Sequence, residues 1–167
     1  PYARHSHGIR AKLTGLQLRT ICQEAACPNI TECFASGTAT FLIMGNICTR
    51  HCLYCNVAHG EPKAIERQES ERLAKAVREM NLKYVVITSV TRDDLPDGGA
   101  DFFAGCINRL HRDNPEIKTE VLIPDFRGNT AALDETINAA PAVINHNMEV
   151  VKSLFGRLRP QGNYVLS

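Results

Sequence analysis

The chain has no tryptophan and no block of basic residues, and its 19 Lys and Arg are balanced by 18 Asp and Glu to a formal charge of +1. The electrostatic footprint of a nucleic-acid binder is therefore missing, and partners are not selected by net charge. Long hydrophobic runs are also lacking. The longest, Ala39 to Gly45 and Tyr84 to Thr88, fall far short of the ~20 residues a membrane-spanning helix requires. The opening Pro1-Tyr2-Ala3-Arg4-His5-Ser6-His7 contains no apolar stretch, so no secretory signal is expected, although a removed mitochondrial presequence would leave no trace. A soluble protein of a reducing cytosol is the simplest expectation. At 167 residues one domain is anticipated, and such a chain can bury roughly 70% of its unfolded surface without disulfides.

What is present is sulfur, concentrated near the start. Of seven cysteines, six fall in two tandem triads: Cys22, Cys27 and Cys33, spaced C-x4-C-x5-C, then Cys48, Cys52 and Cys55, spaced C-x3-C-x2-C. Thiols grouped this way without a secretory signature point to metal rather than disulfides. Three per group is informative. A closed structural zinc site takes four protein ligands, whereas a cubane iron–sulfur cluster on three leaves one iron open. Two zinc sites, with His51 or His59 completing the second, remain the plainer alternative. Two electron-transfer cubanes would need four thiolates each, more than seven cysteines supply.

Residues 1–37 read as an irregular, cysteine-rich arm, with a turn at Cys27-Pro28-Asn29. From 38 to 167 short β-branched runs alternate with amphipathic stretches, predicting strands at Thr40–Met44, Tyr84–Ser89, Thr119–Ile123 and Ala142–Asn145. Helices are expected at Glu69–Met80, with Leu73, Ala76, Val77 and Met80 on one face, and at Asp101–Arg112, with Phe103, Cys106, Ile107 and Leu110. Two more are expected at Thr130–Ala139 and Met148–Leu158. Four βα units follow, and nearly continuous apolar runs suit parallel strands of an incomplete (β/α) barrel. Ligands of such sheets sit beyond the carboxyl ends of the strands. There the sequence places Gly45-Asn46-Ile47-Cys48, then Thr88 to Gly99, then Asn145-His146-Asn147.

These residues carry a resemblance. Cys22-Gln23-Glu24-Ala25-Ala26-Cys27-Pro28-Asn29-Ile30-Thr31-Glu32-Cys33 resembles the auxiliary-cluster motif of the lipoyl synthase family of radical S-adenosylmethionine (SAM) enzymes, and Cys48-Thr49-Arg50-His51-Cys52-Leu53-Tyr54-Cys55 resembles its SAM-cluster motif. Arg92-Asp93-Asp94-Leu95, Asp97-Gly98-Gly99-Ala100, Asn145-His146-Asn147 and Arg159-Pro160 are further matches. The resemblance implies two 4Fe-4S clusters, one on Cys22, Cys27 and Cys33 as sulfur donor and one on Cys48, Cys52 and Cys55 as the site of SAM cleavage. It implies sulfur insertion at C6 and C8 of an octanoyl chain on a lipoyl-carrier protein or domain. An electron donor such as flavodoxin or ferredoxin would be required. Neither nucleic acid nor membrane enters. Location would be cytoplasmic, or mitochondrial in a eukaryote. The family has about six βα units and an Arg-Ser-Ser-Tyr serine as fourth auxiliary ligand; neither is matched here, so a C-terminal truncation is expected.

For SAM contacts the strand-end set Thr88, Ser89, Arg92 and Asn145 is expected, with main-chain groups near Tyr54, held by hydroxyl or charge-assisted hydrogen bonds. No catalytic residue beyond the cluster ligands is assigned. Blander roles compete. Thr88, Ser89 and Arg92 could close a turn, Asn145 could cap the next helix, and Asn147 could be the N-cap before Met148. Cys106, on an apolar helix face, is expected in the core. Asp93, Asp94 and Asp97 lack the alternation of a calcium loop, and Gly98-Gly99 forms no phosphate-binding fingerprint. The alternative functions are a zinc-organised interaction module without catalysis and another radical SAM sulfur-inserting enzyme.

Overall fold

The computed structural model describes residues 12–24 and 27–167. His5 and His7, expected on a solvated tail, lie outside these residues. The strands are β1 (Arg19–Thr20), β2 (Thr38–Ile43), β3 (Ile47–Cys48), β4 (Ala58–His59), β5 (Tyr84–Ser89), β6 (Lys118–Leu122) and β7 (Val143–Asn145). The helices are α1 (Ile21–Glu24), α2 (Ile30–Ala35), α3 (Glu69–Glu79), α4 (Ala100–Asp113), α5 (Thr130–Asn138) and α6 (Lys152–Leu158), with a 3-10 turn at Phe126–Gly128. One mixed sheet runs β1-β2-β5-β6-β7. Its last four strands are parallel, and β1 is antiparallel to β2.

Register assigns the two faces of this sheet. Phe41, Ile87, Val121 and Ile144 stand in one row, and Leu42, Thr88, Leu122 and Asn145 in the next. Because side chains alternate with period two, the rows point to opposite sides. Ala39, Phe41, Val85, Ile87, Thr119 and Val121 are essentially inaccessible and share a core with helix residues Leu73, Val77, Phe103, Ile107 and Leu110. Each large apolar side chain buried there contributes about 1.5–3 kcal/mol. Cys106 belongs to this core as expected, fully buried. The opposite face is mixed in chemistry. Thr40, Val86 and Glu120 lie side by side and half-buried, with Tyr84 below and Asn145 exposed above. Glu120 accepts hydrogen bonds there from the Tyr84 hydroxyl and from the Asn145 amide.

Three expectations need correction. The described residues between 12 and 37 are not irregular: they contribute a strand to the sheet, and Leu13, Leu18, Ile30 and Phe34 enter the main core. The last helix starts at Lys152 rather than Met148, with Val151 at its N-cap. Asn147 is therefore no cap; its amide donates to Glu149, whose φ of 62° breaks any helical path. An element with no counterpart in the sequence reading is the two-stranded parallel ladder of β3 and β4 inside the loop after β2. Among the described residues no helix is long and apolar enough to cross a membrane.

The carboxyl ends of the parallel strands are held open by local backbone chemistry. Leaving β2, the chain turns through positive φ at Met44 (64°) and Gly45 (89°). At the start of α4 the Asp97 carboxylate accepts from the N–H groups of Gly99 and Asp101, satisfying donors that a helix start leaves free. Gly99 is required there. Its φ is +92°, and a Cβ would lie 2.4 Å from the Met44 sulfur.

Candidate functional site

Cys48, Cys52 and Cys55 lie in the loop that leaves the carboxyl end of β2, where the strand-end rule expected them. The β3–β4 ladder pairs Cys48 with His59, and the Gly60 N–H donates to the Cys48 carbonyl at 2.9 Å. The intervening chain is thereby closed into a small lobe. Within it the Cys55 N–H bonds to the Cys52 carbonyl at 3.0 Å, and the His51 and His59 rings stack at 3.7 Å. The lobe is tied to the chain's last segment by Leu53 N–H to the Leu158 carbonyl and His51 N–H to Gln161.

The sulfurs sit in different settings. Cys48 Sγ accepts from the backbone N–H groups of Thr91 at 3.3 Å and Arg50 at 3.4 Å. Burial pushes the Cys52 thiol up, against the Tyr54 hydroxyl, which hydrogen-bonds it, and the nearby Arg159 cation; charges at Cys48 and Cys55 raise it further. The Tyr54 hydroxyl is in turn pushed up to about 12 by partial burial and by Cys52. In the first triad, burial raises the Cys22 thiol, and neighbouring Cys27 and Cys33 raise it again, while the Thr40 hydroxyl bonds to it. By register Thr40 lies on the sheet face opposite the core packed by α3 and α4, so α1 brings Cys22 to that face. All seven cysteines are free thiols.

Among the described residues no three Cys, His, Asp or Glu side chains close on one metal ion. Convergence is the demand of a single ion; a cubane takes each thiolate on a different iron, so its ligands stand apart. Free thiols in groups of three, all but Cys55 partly buried, fit such a cluster better than the four-ligand shell of structural zinc.

Beneath the lobe lies a charge network that sequence reading missed. Arg50 donates to Asp93 at 2.7 and 3.0 Å and to Asp125 at 2.7 and 2.6 Å. The Arg50 and Asp125 side chains are each 3% exposed. Burial alone would raise the Asp125 carboxyl, but hydrogen bonds from Arg50 and the Arg127 N–H outweigh it and hold it below its ordinary range. The two carboxylates push the Arg50 guanidinium up against its own burial. The signal that could have revealed Asp125 is its place in Pro124-Asp125-Phe126, just past the carboxyl end of β6, the same rule that singled out Asp93. Glu69 was missed as well: buried, it accepts from the Met44 N–H at 2.9 Å, and burial raises its carboxyl despite that bond.

Of the residues expected to contact SAM, Thr88 and Asn145 share a row at the strand ends, while Ser89 lies in the next row with Ile43 and points to the other side. Thr88 donates to the Leu122 carbonyl, and Asn145 to Glu120. Ser89 Oγ is buried with no hydrogen-bond partner, a need that a polar ligand would satisfy. Arg92 is otherwise engaged. It is 2% exposed, forks onto Asp94 at 2.9 and 2.7 Å and donates to the Met44 carbonyl at 3.3 Å. Its geometry makes it a brace between the loops after β2 and β5. Tyr54 stands beside Cys52 in the lobe.

Comparison with known proteins agrees with this geometry. Residues 42–164 match the Radical SAM superfamily. The chain is 54% identical to lipoyl synthase of Hahella chejuensis over 160 residues, which is 95% of this chain and 48% of that protein. It is 53% identical to lipoyl synthase of Aquifex aeolicus over 156 residues, covering 93% and 56%. For lipoyl synthase of Syntrophotalea carbinolica the identity is 53% over 158 residues, covering 92% and 51%. The chain thus spans about half the length of the curated relatives it matches. With cysteine loop, parallel strands and matched residues in agreement, the chain belongs to the radical SAM superfamily.

Proposed function

We propose that the chain carries the cluster-binding half of a lipoyl synthase, its sheet being part of a (β/α) barrel. On this reading residues 1–37 supply the auxiliary-cluster motif and 38–167 the SAM-cluster part. Cys48, Cys52 and Cys55 would hold one 4Fe-4S cluster and Cys22, Cys27 and Cys33 the other. When bound, the second-triad cluster supplies a low-potential electron and an open iron for reductive cleavage of SAM, and the first-triad cluster supplies sulfur for C6 and C8 of the octanoyl chain.

The chain's own residues give that chemistry its place. The loop bearing the three cysteines leaves the carboxyl end of β2 and is bonded to the loops after β5 and β6, the end where ligands of parallel sheets bind. Ser89 Oγ, Thr88, Asn145 and main-chain groups near Tyr54 are the proposed SAM contacts, with Arg92 holding Met44 in place behind them. The observation that carries the proposal is that the loop of residues 48–55, leaving the carboxyl end of β2, is bonded to the loops after β5 and β6 by Cys48 Sγ accepting from Thr91 and by Arg50 donating to Asp93 and Asp125. Cys22, beside Thr40 of β2, brings the first triad to the same strand. A sulfur donor and a radical source must share a substrate pocket for the chain to receive both. Partners would be an octanoylated lipoyl-carrier protein or domain and a donor such as flavodoxin or ferredoxin, in the cytoplasm or, in a eukaryote, the mitochondrion.

The test separates the triads in a chain of the relatives' full length, with 5′-deoxyadenosine and lipoyl product followed separately under anaerobic conditions. Replacing Cys48, Cys52 and Cys55 by Ala should abolish both. Replacing Cys22, Cys27 and Cys33 should spare 5′-deoxyadenosine and abolish lipoyl product. Lipoyl product from the first-triad variant would reduce the proposal to a generic radical SAM enzyme.

A further inference from the structure

We propose that Arg50, clamped by Asp93 and Asp125, is a positioning residue that holds two backbone N–H donors on the sulfur of Cys48 and thereby sets the reduction potential of the second-triad cluster; the idea rests on the reading of that triad given above. The two donors belong to separate segments. One is the N–H of Arg50 itself, and the other is that of Thr91, two residues before Asp93. Arg50 and Asp93 are 43 residues apart, so bonds across the segments must hold them: the Thr49 N–H donates to the Thr91 carbonyl at 3.0 Å, and the guanidinium adds a tie to a third segment at Asp125. Its Nε and Nη2 reach Asp93, while Nη1 and Nη2 reach Asp125, a planar double fork that only arginine can offer. Thr49 laces the same segments, its hydroxyl donating to the Thr91 carbonyl at 2.9 Å and accepting from the Asp93 N–H at 3.0 Å.

Burying one cation with two anions is costly in itself, and such networks are a poor route to stability. Geometry explains its place better. Hydrogen bonds to cluster sulfurs are among the determinants of cluster potential. An N–H dipole on a thiolate favours the reduced, more negative state and so raises the potential. The net negative charge of one guanidinium and two carboxylates acts the other way, favouring the oxidised state. These opposite signs make the two roles separable by experiment.

The measurement is a redox titration of the anaerobically iron-loaded chain, followed by electron paramagnetic resonance, in wild type, Arg50→Lys, Asp125→Asn and Thr91→Pro. The signal altered by adding SAM identifies the second-triad cluster. If SAM alters no signal, the functional proposal fails independently of this one. Arg50→Lys keeps the charge and loses the fork, so the ratio of reduced to oxidised cluster at fixed potential should fall about tenfold, which is about 59 mV for a one-electron couple. Asp125→Asn is the decisive arm. Removing a negative charge would raise the potential through space, whereas loosening the donors lowers it, and a fall is expected. A rise in Asp125→Asn, or an unchanged potential in Arg50→Lys, overturns the inference. Should either variant hold too little iron to titrate, Thr91→Pro deletes one donor without touching a charge, and an unshifted potential there overturns it equally.

Discussion

Gly99→Ala tests how tightly the strand ends are built. The backbone at Gly99 is left-handed (φ +92°, ψ 17°), which costs an L-residue about 1–2 kcal/mol. The added methyl would stand 2.4 Å from Sδ and 2.6 Å from Cε of Met44, and overpacking of this kind costs about 1–3 kcal/mol. The clash is with the flexible end of Met44, but that side chain is 3% exposed within the core and can yield only by repacking its neighbours. A loss of about 2–5 kcal/mol follows, or roughly 4–20 °C in Tm at 2–4 °C per kcal/mol for a domain of this size. Thermal and urea unfolding of the metal-free chain measure it. Gly105→Ala is the internal control. Gly105 lies within α4, where an added methyl would meet nothing within 4 Å, so the same substitution should stabilise by up to about 1 kcal/mol. If both variants moved stability equally, or Gly99→Ala were neutral, the close approach of Met44 to the α4 start would be refuted.

Arg50→Met should destabilise the metal-free chain by about 3–5 kcal/mol at neutral pH by leaving Asp93 and Asp125 without their cation. Asp125 is depressed in the wild type, so its contribution is present above the ordinary Asp range and lost as pH falls through its folded pKa; urea titrations should therefore show the penalty shrinking on acidification, and a pH-independent penalty would contradict this. Glu69 has the opposite sign. Its carboxyl is raised by burial, so its protonated form suits the fold and stability is lost as pH rises through its folded pKa. Glu69→Gln should gain stability over wild type as pH climbs above the ordinary Glu range, whereas Glu69→Leu, leaving the Met44 N–H unpaired, should lose about 1–3 kcal/mol; equal behaviour of the two would refute the assignment. In the cluster-loaded chain, Ser89→Ala and Asn145→Ala should each weaken SAM binding about two- to tenfold, the worth of one hydrogen bond, and calorimetric titration showing no change in either would remove both from the site.

The parallel strands and the first three long helices are legible in the sequence because each rests on a pattern its own residues complete. Tyr84–Ser89 matches its expected bounds to the residue, and the buried stripe of Leu73, Ala76 and Val77 repeats at helical spacing. Where distant parts of the chain decide, sequence reading falls short. Arg19–Thr20 is a strand only because β2 offers it an edge. The helix expected from Met148 is delayed because His146 Nδ1 donates to the Ile123 carbonyl and Glu149 takes a left-handed turn. At the site, the six cysteines announce themselves by spacing. The Arg50 network does not, since its carboxylates are 43 and 75 residues away. Arg92 has the look of a ligand for an anionic group, yet Asp94, two residues on, already neutralises it.

Iron and acid-labile sulfide, counted in the anaerobically loaded chain and in the two triad variants, test the central claim most directly. Two cubanes on three thiolates each require about four iron and four sulfide per triad. Each triple Cys→Ala variant should lose half of both, and only the variant retaining Cys48, Cys52 and Cys55 should change its electron paramagnetic resonance signal when SAM is added. Zinc without sulfide, or a SAM response that survives loss of Cys48, Cys52 and Cys55, would contradict the account.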